Sequence, residues 1–356
     1  MRAPTYTSPV DGTAPLKLAV IGVGRMGSVH VRQLATMPSI EIVAVADASQ
    51  PSIDALRDVI GDAIGFADAG AAFAHPGVEA SLLATPTPTH PDLVRAALAA
   101  GLHVLCEKPL SLDPAESVAL GTLARDAGKV LQIGFWRRFS PPWKRARDAI
   151  VDGRIGQPLM VRLSQWDADP PPLSFCDPAV SGGLAVDCGV HEFDLAEWLT
   201  GCAVERVRAW LLPPVDGGVS ATGDVDNLVA VLELAGGALA TVDLSRNCRY
   251  GDDVRTEILG ERGAILVDLL PTGRARIGDA TGMTVLDGSL ADDATVAGVV
   301  NQAAAFAAAV RGADVDAPGA PASARATLIA HAVRRAAETG AAVEIPAPQE
   351  ATRLCP

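Results

Sequence analysis

Aromatic residues are scarce, 4% of 356, so any core must be built from aliphatic side chains. Basic residues are also in the minority, with 29 Lys and Arg against 42 Asp and Glu and a net charge of −13. A surface of that sign repels phosphate backbones and anionic lipid, which argues against a general role on nucleic acid or membrane surfaces. No stretch reaches the roughly 18 uninterrupted apolar residues that a membrane-spanning helix needs. The polar, Pro-rich opening MRAPTYTSPVDGTAPLK lacks the apolar run of a signal peptide. The six cysteines, Cys106, Cys176, Cys188, Cys202, Cys248 and Cys355, form no C-x-x-C pair. They read as reduced, buried thiols of a cytoplasmic protein and not as a zinc or redox centre. What remains is 49% hydrophobic and 20% charged, enough for a globular core and long enough for two domains. The expected partners are small molecules or protein.

From Leu16 the chain alternates short apolar runs with helical stretches, a rhythm that predicts a doubly wound parallel sheet with helices on both faces. The runs are LKLAVIGV (16–23), IEIVAVAD (40–47), AIGFA (63–67), VEASLLAT (78–85), HVLCEKP (103–109) and KVLQIGF (129–135). After GFWRRFSPPWKRARDAI the rhythm changes. Strand-like runs LMVRLSQWDA, VERVRAWLL, NLVAVLEL, GALATVDLS, VRTEILG and GAILVDL follow, broken by one helical segment near Asp187 to Thr200 and by glycine-containing turns. These predict a largely antiparallel sheet. Two helices, 295–311 and 323–339, close the chain. The expected division is an α/β domain over 15–136 and an α+β domain over 137–346, with 1–14 and 347–356 as tails. The final helix is a candidate to pack back on the first domain.

The first run leads into Gly22-Val23-Gly24-Arg25-Met26-Gly27, a G-x-G-x-x-G at a strand-to-helix turn. Gly22 suits the tight turn, Gly24 the approach of backbone to a pyrophosphate, and Gly27 close helix–sheet packing. Free N–H groups at the helix start can hold the phosphate, so an acidic protein can still bind an anionic cofactor. Asp47 ends the second run near the separation of about 20 residues expected for a ribose-binding carboxylate. No arginine follows it in ASQPS, so NAD is favoured over NADP. FAD is disfavoured because no second nucleotide signature accompanies the first.

Chemistry is expected beyond the carboxyl ends of the strands. Two such ends carry Thr85-Pro86-Thr87-Pro88-Thr89-His90 and Glu107-Lys108-Pro109. The Lys-Pro bond is one where a cis peptide is cheap, and such a turn can aim Lys108 at a bound nicotinamide; a solvated strand-end lysine is the alternative. Further on, Asp187 and His191 stand at i and i+4, which on one helix face suits proton transfer through an aspartate-oriented imidazole. An N-cap aspartate and a core histidine are the alternative reading. A metal site is disfavoured, since the pair lacks a third ligand and Cys188 points about 100° away around the helix.

GVGRMGSVH, Asp47, ATPTPTH, CEKP, GFWRRF, GRIGQP, DCGVHEFDLAEWLTG, LGERGA and AHAVRRAAETGAAVEI occur in the order seen in the glucose-fructose oxidoreductase/inositol dehydrogenase/MocA family, which the chain resembles over about residues 15–346. That resemblance implies Lys108, Asp187 and His191 as catalytic residues. It places Gly22, Gly24, Arg25, Met26, Gly27, Asp47, Thr85, Thr87, His90, Glu107 and Lys108 on the cofactor side. GFW-R-R resembles the inositol dehydrogenase pattern GFMRR with Trp136 in place of methionine, so Trp136 and Arg137, with Asp187 and His191, are implied on the substrate side. DADPPPLSFCDP (167–178) has no counterpart in the pattern and is a candidate for reading substrate hydroxyls. The implied activity is NAD-dependent hydride transfer from a secondary hydroxyl of a cyclic polyol or sugar, in a homo-oligomer, dimer or tetramer. The alternatives are an NAD-dependent glycoside hydrolase working by transient oxidation and a non-catalytic NAD-binding regulator.

Overall fold

A computed structural model describes residues 14–168, 170–270, 274–287 and 291–348. Cys355 and nearly all of the expected tails lie outside them. Two compact units emerge: the chain up to Trp136 together with Val296–Ala324, and Arg137–Thr295 together with the chain from Arg325 onward.

The six apolar runs of the first unit form β1 (Leu16–Ile21), β2 (Ile40–Ala46), β3 (Ile64–Phe66), β4 (Ala80–Leu83), β5 (His103–Cys106) and β6 (Leu131–Ile133). All pair in parallel, in the order β3-β2-β1-β4-β5-β6. β1 and β4 are buried almost throughout, as strands covered on both faces must be. Local chemistry starts the helices: Ser49, Asp68 and Asp113 each accept a backbone N–H at a helix N-terminus, and Pro114 occupies the first turn after Asp113. The strand order reverses between β1 and β4, which opens a crevice at the carboxyl ends where ligands bind in such sheets.

The sequence placed the penultimate helix in the second domain. Instead, from Val296 the helix Ala291–Val310 belongs to the first unit. Its Ala303, Ala304, Phe306 and Ala307 join the core that contains Leu16, Leu18 and Val20. The reason is chemical: a helix rich in small residues can cover a parallel sheet at close range. Arg311 then pairs with Glu79 at 2.7 Å, and the edge strand β6 donates its Ile133 N–H to the Pro318 carbonyl at 2.8 Å. Of the final helix, Ala320–Thr339, only the first turn lies in this unit, where Ser323 accepts the Leu110 N–H at 2.9 Å.

The second unit holds β7 (Pro158–Trp166), β8 (Val204–Leu211), β9 (Asn227–Leu234), β10 (Leu239–Ser245), β11 (Asp253–Gly260), β12 (Ala264–Leu270), β13 (Arg274–Asp279), β14 (Gly282–Asp287) and β15 (Val343–Glu344). Their order is β14-β13-β12-β11-β7-β10-β9-β8-β15, and only β7 and β10 pair in parallel. Helices Pro141–Val151 and Gly189–Thr200 pack on one face, where Trp143 donates its indole N–H to Thr256 at 3.1 Å. No helix among the described residues is long and apolar enough to cross a membrane.

Candidate active site

β1 turns at Gly22, whose φ of +83° is the left-handed region that favours glycine. A side chain on Gly27 would put its Cβ 1.9 Å from the Gly22 carbonyl oxygen. Gly24, by contrast, faces open space and caps the helix Arg25–Leu34 without any side-chain hydrogen bond. The first N–H groups of that helix are therefore left for an external acceptor, with Arg25 exposed and Met26 half-buried beside them. The Asp47 carboxylate accepts the Val23 N–H at 2.8 Å and, through its other oxygen, the Ser49 N–H at 2.8 Å. Each oxygen keeps a further lone pair for a ribose hydroxyl. An open phosphate cradle beside a pinned carboxylate fits NAD.

At the end of β4, Thr85 and Thr89 share a hydroxyl hydrogen bond of 2.7 Å, and Thr87 is buried in a short turn. His90, expected on the cofactor side, is internal and 1% exposed. Its ring nitrogens lie 2.8 Å from the Thr85 and Pro109 carbonyl oxygens, so the ring ties the β4 loop to the β5 loop. Burial pushes its pKa down, and the two carbonyls offset only part of that.

The Lys108–Pro109 peptide is cis, and Lys108 is half-buried. Glu107, expected on the cofactor side, faces inward. It is 8% exposed, with Oε1 accepting the His30 Nε2–H at 2.6 Å and Oε2 accepting the Lys108 N–H at 3.2 Å. Burial pushes the carboxyl up, but the His30 hydrogen bond and charge, aided by Lys108, outweigh it and leave it below the ordinary range. Gly134 leaves room for this arrangement, since a Cβ there would stand 2.9 Å from Glu107 Oε2. His30 escaped the sequence reading. Its signal is positional: it shares the buried face of its helix with Gly27, Val31 and Leu34.

In the second unit the expected single helix carrying both Asp187 and His191 is divided. Asp187 ends a short helix, Leu184–Asp187, and His191 lies in the first turns of Gly189–Thr200. Gly189 sits at the junction because a Cβ there would come 2.8 Å from the Phe193 ring. The Asp187 carboxylate is held at 3.3 Å by the buried guanidinium of Arg246, and the Cys188 thiol donates to Asp167 at 3.3 Å. Arg137, expected to face substrate, is internal and 4% exposed. Its guanidinium donates to Glu192 and, at 2.8 Å, to Gln165, and stacks 5.2 Å above the Trp143 ring. Burial raises the Glu192 carboxyl, with Arg137 pulling against it. Trp136 is half-buried, the last residue of the first unit before the chain crosses to Arg137.

A 3-2-1-4-5-6 parallel sheet, an uncapped glycine turn at β1 and a carboxylate pinned at the end of β2 define a dinucleotide-binding protein of the Rossmann class. Residues 16–135 match the family model described as an oxidoreductase family with an NAD-binding Rossmann fold, and residues 143–266 match the GFO/IDH/MocA C-terminal domain. The chain belongs to the GFO/IDH/MocA family and is an NAD-dependent oxidoreductase. It is 36% identical to myo-inositol 2-dehydrogenase of Thermotoga maritima over 253 residues, 71% of this chain and 75% of that one. It is 34% identical to inositol 2-dehydrogenase 1 of Saccharopolyspora erythraea over 335 residues, 93% and 96% of the two. Among solved structures, a probable dehydrogenase from Thermotoga maritima superposes with a TM-score of 0.83 at 31% identity, covering 92% of this chain and 98% of that one. GenD2 from gentamicin A biosynthesis, in complex with NAD, matches with a TM-score of 0.83 at 27% identity, covering 94% and 97%.

Proposed function

We propose that the protein oxidises a secondary hydroxyl of a cyclic polyol, an inositol or a related sugar, and transfers the hydride to NAD. The observation that carries the cofactor half is the Asp47 carboxylate, fixed by the Val23 and Ser49 N–H groups and repelling a 2′-phosphate. The substrate half rests on relatives that are named inositol dehydrogenases and align over most of the chain. The same names favour net dehydrogenation over transient-oxidation glycoside hydrolysis or a silent NAD-binding regulator.

NAD, when bound, supplies the hydride acceptor. The protein's own residues handle the proton and the oxygen. His191 takes the hydroxyl proton as general base. Asp187, held by Arg246, supplies a fixed negative charge that orients and polarises the imidazole. Lys108 donates a hydrogen bond to the substrate oxygen and favours the developing alkoxide. Gly22, Gly24, Arg25, Met26, Gly27, Asp47, Thr85 and Thr87 hold the dinucleotide, while Glu107 and His90 support that surface from within. We assign Trp136 and residues 167–178 to the walls that select the substrate, while Arg137 holds Glu192 and Gln165 within the second unit.

We also place the enzyme in the cytoplasm as a homo-oligomer. The five described cysteines are buried free thiols, as suits a reducing compartment. The face of the nine-stranded sheet away from the helices exposes Trp166, Trp210 and Leu259 among charged residues, a surface suited to a second copy. The deciding experiment is a panel of inositols, aldoses and nucleotide sugars assayed at 340 nm with NAD and with NADP. Net NADH from an inositol or sugar is the expected result. Product without net NADH favours the hydrolase, and a tenfold preference for NADP, about 1.4 kcal/mol, refutes the Asp47 argument.

A further inference from the structure

β10 buries every second residue, Ala240, Val242 and Leu244, and the same alternation carries past the strand end to Arg246, which is 1% exposed. A fully buried guanidinium needs anionic partners on its own scale. Arg246 has two. Nη1 donates to Asp224 Oδ2 at 2.6 Å and Nη2 to Asp187 Oδ2 at 3.3 Å. Asp224 in turn accepts the Leu184 N–H with both oxygens at 3.0 Å, so it caps the start of the helix whose last residue is Asp187. Gly183, with φ of +75°, makes the approach possible, because a Cβ there would stand 2.5 Å from Asp224 Oδ1. Asp224 and Arg246 thus grip the one-turn helix Leu184–Asp187 at both ends.

We propose that Arg246 and Asp224 are positioning residues that fix the Asp187 carboxylate for proton transfer through His191. The inference rests on the catalytic assignment of Asp187 and His191 above. Arg246 touches neither substrate nor cofactor in this scheme and acts only through Asp187. Burial alone would lower its pKa, but the Asp224 and Asp187 carboxylates more than reverse that and hold it protonated. The guanidinium is therefore a permanent charge, and the Asp187 carboxylate has a fixed partner at all working pH values.

Two measurements on the full-length protein test this. The first is a double-mutant cycle on the panel member turned over fastest, with Arg246→Ala, Asp187→Asn and the pair. Arg246→Ala is expected to lower kcat by tenfold or more with the dissociation constant for NADH within twofold of wild type. Added guanidinium ion should restore part of that kcat. In the Asp187→Asn background the same change should alter kcat by less than threefold. Equal, independent losses in both backgrounds overturn the proposal, as does a single variant with unchanged kcat. If Asp187→Asn and His191→Ala are themselves unimpaired, the catalytic assignment falls; if they are impaired and Arg246→Ala is not, only the clamp does. The second is hydrogen–deuterium exchange of residues 184–191 in Asp224→Asn, which keeps an acceptor for Leu184 and suits the case where Arg246→Ala does not fold. Exchange should accelerate at least tenfold there and not in β7 or β11. Unchanged exchange overturns the clamp whatever the substrate.

Discussion

Replacing His30 by alanine removes the side-chain partner of a carboxylate that is largely buried. His30 is 1% and Glu107 8% exposed, and their 2.6 Å contact links the helix after the glycine turn to the strand end that carries Lys108. Breaking a buried pair of this kind from one side costs about 3–5 kcal/mol, because the remaining charge is stranded. The folded-to-unfolded ratio should therefore fall by roughly 10² to 10⁴. Urea unfolding at pH 7 measures it. Glu107→Gln on the His30→Ala background should recover stability, since it removes the stranded charge while keeping the shape. The pH dependence has a definite sign. In the wild type the folded carboxyl is lowered, so its contribution is complete above the unfolded value of about 4.3 and is lost as pH falls through the folded one. In His30→Ala the burial that raises Glu107 loses its main counterweight, so the group takes up a proton on acidification. The recovery given by Glu107→Gln should then fade as the pH falls. A loss under about 1 kcal/mol, or a Glu107→Gln change that destabilises the variant further at pH 7, refutes the reasoning.

Other substitutions probe the remaining parts. Gly27→Ala drives a methyl to 1.9 Å from the Gly22 carbonyl, so NADH affinity measured by fluorescence titration should fall at least tenfold, while Gly24→Ala, with no atom within 4 Å, should leave the fold intact. Asp47→Ser removes the carboxylate that binds the Val23 and Ser49 N–H groups and should lower kcat/KM for NAD more than for NADP, moving the ratio by at least tenfold in initial-rate assays. His191→Ala should lower kcat by about 10² to 10⁴ with NADH affinity largely kept; near-wild-type turnover removes it from the role of base.

The central strands of the first unit were legible because a sheet covered on both faces demands continuous apolar runs, as in β1 and β4, whereas the edge strand β3 is exposed at Ile64 and signalled only by its place in the rhythm. The glycine turn and Asp47 were legible because their geometry depends on residues next to one another in the chain. β13 and β14 were not: RARIGD carries three charged residues and a glycine, and GMTVLD is short and opens on glycine, so their pairing comes from neighbouring strands. Nor was the destination of the penultimate helix, whose near-uniform alanine face does not say which sheet it covers. The least legible residues were charged ones that fold inward. Arg137 and Glu107 look like ligand-facing groups in the sequence, and their partners Glu192 and His30, remote in the chain, explain their burial; Arg246 carries no signal there, and Asp224 and Asp187 explain its burial.

Because Val296–Ala324 completes the nucleotide-binding unit, that unit is not an N-terminal module in the ordinary sense. A ribosome must finish nearly the whole second sheet before the helix that joins the core of Leu16, Leu18 and Val20 is made. The part of that core supplied by Ala303, Ala304, Phe306 and Ala307 is therefore missing until late in synthesis. A recombinant fragment ending at Trp136 would lack the same packing partners permanently. Exchange of substrate specificity between relatives by swapping everything after Trp136 would also replace that helix, so the graft would have to spare 296–324 to keep the cofactor unit whole.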